Sequence, residues 1–221
     1  PRSALVSIEQ TTSFSGGTVW DLAEMRRIRD VAQGCGLVAH IDGARLLNAV
    51  AATGIPAADY AEGFDSAWID LSKGLGCPVG AVLCGSAAFV EAAWQWKYRL
   101  GGAMRQSGVL AAAGLYALDH HIAQLARDNA HAAQLHRAVA DLPGLGLDPT
   151  AGQSNILFFS VEGLGITAAD FAAACMKEGV RVRALGTHHI RVTTNLDVDQ
   201  AGIARAAEVM RATALAFAER S

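Results

Sequence analysis

The stretch AWIDLSKGLGCPVGAVL, residues 67–83, sets one lysine, Lys73, at the end of an apolar, strand-prone run and at the start of a glycine-rich turn. Lysine is among the residues least often buried, so an amine in this position calls for a chemical reason. A phosphate-cradling P-loop is excluded, because G-x-x-x-x-G-K-[ST] is absent and Lys73 precedes its glycines. The GLGCPVG segment is a poor dinucleotide fingerprint: its spacing is G-x-G-x-x-x-G, Pro78 stands in the middle, and a strand rather than a helix follows. Neither G-x-S-x-G nor H-E-x-x-H occurs. His40 and Asp42 share a strand face without an identifiable third ligand, so no metal site is assigned.

What survives is amine chemistry. A lysine at the carboxyl end of a sheet strand, among apolar neighbours and beside glycines that admit a bulky group, can be partly desolvated, which favours Schiff-base formation with a carbonyl. The segment LVAHIDGAR ends its own strand with Asp42, and parallel strands place their carboxyl ends on one edge, where ligands of open α/β sheets bind. Asp42 and Lys73 can therefore meet over one pocket. Pyridoxal phosphate requires such a pair: a lysine to hold its aldehyde carbon and a carboxylate to keep its ring nitrogen protonated. An ordinary salt bridge at a strand edge would use the same spacing.

The elements that must position these residues alternate. ALVSIE, LVAHID, DSAWIDLS and GAVLCG read as strands, DLAEMRRIRDVAQGCG as a helix capped by Asp21, and ARLLNAVAATG as a short helix ended by Gly54 and Pro56. SAAFVEAAWQWKYRL is helical, and after a break at Gly101 and Gly102 an alanine-rich helical stretch runs from Ser107 to Ala140. Nearly apolar strands alternating with helices predict a mostly parallel α/β sheet covered on both faces. Beyond the proline- and glycine-rich LPGLGLDPTAGQ come a strand, a helix, two strands and a helix, a small α+β unit; the expected domains are residues 1–140 and 141–221.

Composition narrows the partners. A hydrophobic fraction of 52% supports a sizeable core, and a net charge of −3 offers no basic field for nucleic acid or anionic membrane. Apolar stretches are broken well before the ~20 residues a membrane span needs, and the first residues lack a signal-peptide core, so a cytoplasmic location is expected. Four cysteines without a C-x-x-C spacing read as reduced, packed thiols.

Three segments, HIDGARLLNA, DLSKGLGCPVGAVL and LGGAMRQSGVLAAAGLYAL, closely resemble the threonine aldolases, fold-type I pyridoxal phosphate enzymes that split β-hydroxy-α-amino acids to glycine and an aldehyde. The likeness extends back through IEQTTSFSGGTVW and forward through SNILFF and IRVTTNLDV, over nearly the whole chain. It implies that Lys73 attaches the cofactor, that Asp42 pairs with the pyridinium, and that Arg45 lies near the ring hydroxyl and the substrate carboxylate. It further implies that Arg191 is the second carboxylate arginine. Ser72, adjacent to the lysine, and Arg105 in GGAMRQ are candidate phosphate contacts, Arg105 toward a neighbouring subunit, with helix capping or an interface ion pair as the alternative for Arg105. A homotetramer is expected by the same resemblance, with the WQWKYRLGGAMRQ stretch at a subunit boundary.

Two positions depart from the family pattern. Thr12 stands where a histidine contacts the substrate hydroxyl, and Asn195 replaces a histidine that follows the carboxylate arginine. Neither can titrate near neutrality, which points to an altered substrate range, to water or another residue as base, or to β-elimination in place of aldol cleavage. Family members also carry a substantial segment ahead of the strand that opens this chain, with a phosphate-cupping turn and a ring-stacking residue. The chain is therefore expected to be the later portion of a longer protein, to expose an unpaired sheet edge, and to bind cofactor poorly by itself. A module that keeps the scaffold without the activity is the remaining alternative.

Overall fold

The segments LVSIE and VAHIDG alternate side chains that point to opposite sides, and they form β1 (Leu5–Glu9) and β2 (Val38–Gly43). With β3 (Ser66–Asp70) and β4 (Ala81–Gly85) they make a four-stranded sheet of order β1-β2-β3-β4 in a computed structural model that describes residues 2–147 and 151–219. The first three strands run parallel. Their crossovers are α1 (Leu22–Gly34) and the pair α2 (Leu46–Thr53) and α3 (Ala57–Ala61). Asp21 caps α1, accepting from the amides of Ala23 at 2.8 Å and Glu24 at 3.3 Å. Gly54 closes α2 at φ 74°, and α3, an element that sequence reading passed over, starts directly after Pro56, whose fixed φ suits a helix entry. The sheet is mostly parallel, as expected, but β4 returns antiparallel to β3 because the connection through residues 71–80 is too short for a crossover helix.

The two faces of this sheet differ. Ile8, Ile41, Met25, Leu46 and Tyr60 are buried together on the side of α1 and α2. The in-register residues Glu9, Asp42 and Trp68, with Asp70 two positions further, project from the other side. All five residues of β4 are exposed, and α4 (Ala87–Arg99), capped by Ser86, buries none of its side chains. The alanine-rich run is two helices, α5 (Gly108–His120) and α6 (Ile122–Val139), parted at His121.

Two compact units result, Pro1–Thr11 with Val19–Gln124, and Thr12–Thr18 with Leu125–Ser221. The division falls ahead of the composition change near Leu142 because α6 carries Leu135 and Val139 into the second core. In that unit β5 (Gly146–Leu147), β6 (Ile156–Ser160), β7 (Arg183–Leu185) and β8 (His189–Thr193) form an antiparallel sheet of order β5-β6-β8-β7. Its helices are most of α6, α7 (Ala168–Lys177) and α8 (Gln200–Ala218). Thr167 and Asp170 form a reciprocal capping box at the start of α7. Phe159 and Phe171 meet edge to face at 5.6 Å in the core. Part of the LPGLGLDPTAGQ connection, residues 148–150, lies outside the described residues. Cys77 and Cys175 are buried, and burial pushes both thiols above the ordinary value; Cys35 and Cys84 are exposed, contrary to the expectation of four packed thiols.

Candidate active site

Lys73 follows β3 on a turn that closes on itself. The Leu71 amide donates to the Gly80 carbonyl at 3.0 Å, the Cys77 amide to the Leu71 carbonyl at 2.9 Å, and the Gly76 amide to the Lys73 carbonyl at 2.9 Å. Buried Leu75 pins the turn beneath, and its carbonyl accepts from the His121 ring Nδ1 at 2.7 Å. The Lys73 side chain returns over the sheet: its Nζ stands 5.3 Å from the centroid of the Trp68 ring and 2.8 Å from Asp70 Oδ2. Asp70 is in turn held by Ser72, whose amide and hydroxyl donate to Oδ1 at 2.7 and 2.6 Å. The lysine side chain is 37% exposed and the aspartate 11%, so the carboxylate is the more buried partner of the pair. Burial works to raise the Asp70 carboxyl, but the bonds from Lys73 and Ser72 and the ammonium charge together outweigh it and hold the group below its ordinary value.

Asp42, one residue before the end of β2, stands directly beside Trp68, so its side chain and the Lys73 amine rise from the same face of the sheet. The Asp42 side chain accepts from the Ala44 amide at 3.1 Å. Buried Gln10 fixes this corner. Its amide donates to the Asp42 carbonyl at 2.8 Å, its carbonyl accepts from the Arg45 amide at 3.2 Å, and its side chain exchanges two 3.1 Å bonds with the Trp20 backbone. Gly43 is required by close approach, since a Cβ there would overlap the Trp68 carbonyl oxygen. Arg45 is buried at the entry to α2.

The other expected site residues are placed as follows. Ser72, expected as a phosphate contact, donates to Asp70 Oδ1 with both its amide and its hydroxyl. Arg105 lies on the exposed turn between α4 and α5. In the second unit, Thr12 Oγ1 is 2.7 Å from Thr18 Oγ1, and the Thr12 amide donates to the Thr18 carbonyl at 3.0 Å. Arg191 projects from β8 with its guanidinium 5.9 Å from the Phe158 ring centroid, and Asn195 Oδ1 accepts from the Asp197 amide at 2.9 Å. Sequence reasoning missed Trp68 and Asp70. Their signal was present: positions 68 and 70 alternate onto one strand face, and Asp70 is three residues before the lysine.

A sheet carrying a lysine and two carboxylates at its strand ends, in a chain whose second unit is a small antiparallel α+β layer, defines the fold-type I class of α/β proteins. The solved threonine aldolase of Leishmania major superposes with a TM-score of 0.76 at 23% identity, covering 96% of this chain and 61% of that one. The sequence profile of the beta-eliminating lyase family matches residues 1–162, and the chain belongs to that family. It is 35% identical to low-specificity L-threonine aldolase 1 of Arabidopsis thaliana over 87% of its own length and 54% of the relative's. It is 34% identical to the low specificity L-threonine aldolase of Escherichia coli over 96% of its own length and 60% of the relative's. The chain thus spans somewhat more than half of each of these proteins.

Proposed function

We propose that this chain belongs to a pyridoxal phosphate-dependent carbon–carbon lyase that cleaves β-hydroxy-α-amino acids of the threonine and allo-threonine type to glycine and an aldehyde. The observation that carries the reading is the placement of the Lys73 amine over Trp68, the neighbour of Asp42 in the strand register. The donor set fits the cofactor: an accessible amine for its aldehyde, an acid for its ring nitrogen, and Arg105 for its phosphate. When bound, the cofactor supplies an electron sink for the bond broken at the substrate α-carbon.

The chain's own groups set up that event. Lys73 offers the amine that attaches the cofactor, and Asp42 holds a proton on the pyridine nitrogen. Arg45 offers a planar, bidentate fork to the ring hydroxyl and the α-carboxylate, which an ammonium could not supply. Arg191 takes the role of the second carboxylate arginine by its likeness to the family. Thr12 binds the β-hydroxyl without removing its proton, and water or another residue serves as base. Exposed apolar side chains around α4, among them Trp96 at 56% and Leu100 at 80%, support a homo-oligomer. No helix among the described residues is long and apolar enough to cross a membrane.

The test is to add pyridoxal phosphate, look for visible absorbance that borohydride bleaches and Lys73→Ala removes, and then offer L-threonine, L-allo-threonine and phenylserine. Glycine and an aldehyde are the expected products. Ammonia and a keto acid would replace the aldol reading with β-elimination, and the lack of any borohydride-sensitive band would leave a scaffold without the activity.

A further inference from the structure

The ion pair between Lys73 and Asp70 is more built than a turn needs. Asp70 ends β3, its Oδ1 is fastened twice by Ser72, and its Oδ2 is left to the Lys73 Nζ at 2.8 Å. The Trp68 ring closes the apolar side of the ammonium at 5.3 Å. Other titratable groups facing this region are Asp42 and Glu9 on the same sheet face, His40, whose Nδ1 lies 2.8 Å from Ser66 Oγ, and His121 beneath Leu75.

Charge conservation gives this pair a use. When an ammonium condenses with an aldehyde, the nitrogen loses two protons, which leave with the aldehyde oxygen as one water, and a carbon–nitrogen double bond forms. One proton stays on nitrogen, so the positive charge is the same before and after. A carboxylate fixed beside that nitrogen is paired in both states. Resting on Lys73 as the cofactor-bearing residue, we propose that Asp70 is the fixed counter-ion of the Lys73 nitrogen, pairing its positive charge both in the uncondensed ammonium and in the bond it forms with the cofactor aldehyde. A positive nitrogen draws electrons from the substrate, so Asp70 acts as a positioning residue through Lys73.

Lys97 and Lys177, the chain's other lysines, provide internal references for the test. In the cofactor-free chain, lysines are acetylated with trace acetic anhydride near neutral pH and each site is quantified by peptide mass spectrometry. The exposed Lys177 reacts faster than Lys73, and Asp70→Asn raises the Lys73 to Lys177 ratio about tenfold, while Asp70→Glu stays close to the parent. Far-ultraviolet circular dichroism on the same samples reports folding. A wild-type Lys73 that reacts as fast as Lys177, or a ratio unmoved in a folded Asp70→Asn, overturns the proposal; the first comparison needs no variant. In the second arm, pyridoxal phosphate is added and the visible absorbance titrated with pH. Asp70→Asn shifts the midpoint down by about one pH unit or more, and an unshifted midpoint overturns the proposal. If no borohydride-sensitive absorbance forms at all, the cofactor reading fails, and the acetylation ratio alone decides whether Asp70 holds the amine charged.

Discussion

Asp42 and Trp68 are direct neighbours in the parallel register of β2 and β3, and the amine of Lys73 lies over the indole of that same Trp68. The acid and the amine thus share one face of the sheet, each next to Trp68 by register or by ring contact. Neither residue reaches this place by its own flexibility: Gln10 ties the Asp42 backbone, and the closed turn ties Lys73.

Asp42→Asn keeps the shape of the corner and removes the anion. The proposed role of Asp42 at the ring nitrogen then predicts a fall in kcat of about 100-fold or more, with the cofactor still attached to Lys73. Steady-state kinetics beside borohydride trapping separates the two. Full activity in Asp42→Asn would remove Asp42 from the site.

Thr12→His places an imidazole where Thr12 now bonds Thr18. The rate against pH is expected to gain a limb near the ordinary histidine value, about 6.5, and turnover on L-threonine to rise. A profile identical to the parent's would show that position 12 does not meet the substrate hydroxyl.

Gly43→Ala tests the packing beneath the site. A methyl group there collides with the Trp68 carbonyl, which is backbone and cannot swing aside. A loss of about 1–3 kcal/mol is expected, read as a lower midpoint in urea. An unchanged midpoint would mean that β2 and β3 can part at this point without cost.

The pH dependence of stability follows from Asp70. Its carboxyl sits below the ordinary value when folded, so the unfolded chain binds more protons in the acid range. The contribution is present above the unfolded value and is lost as pH falls through the folded one. Stability should therefore drop on acidification below about pH 4, and Asp70→Asn should flatten that part of the curve. Chemical denaturation at a series of pH values measures it.

Local signals made much of the fold legible in the sequence. Asp21 at a helix entry, Gly54 at an exit and the alternation in LVSIE and VAHIDG act within a few residues, and they appear in the structure where the chemistry of caps and strands puts them. The small unit was legible for the same reason: SNILFFSV and HHIRVTTN are strand-like by themselves. The split of the alanine-rich run at His121 was not, because alanine favours helix on either side of the break.

The candidate site divides along the same line. By itself the sequence determined that a lysine and an aspartate follow strands and that the motifs are those of a lyase family, since strand propensity, turn glycines and motif spacing are properties of short segments. Only the tertiary structure decided that Ser72 serves Asp70, that Asp70 holds the lysine, and that the amine lies over Trp68, the register neighbour of Asp42. Those relationships depend on strand register and on which way a side chain folds back over its sheet. They arise from packing between segments, and no single segment encodes them.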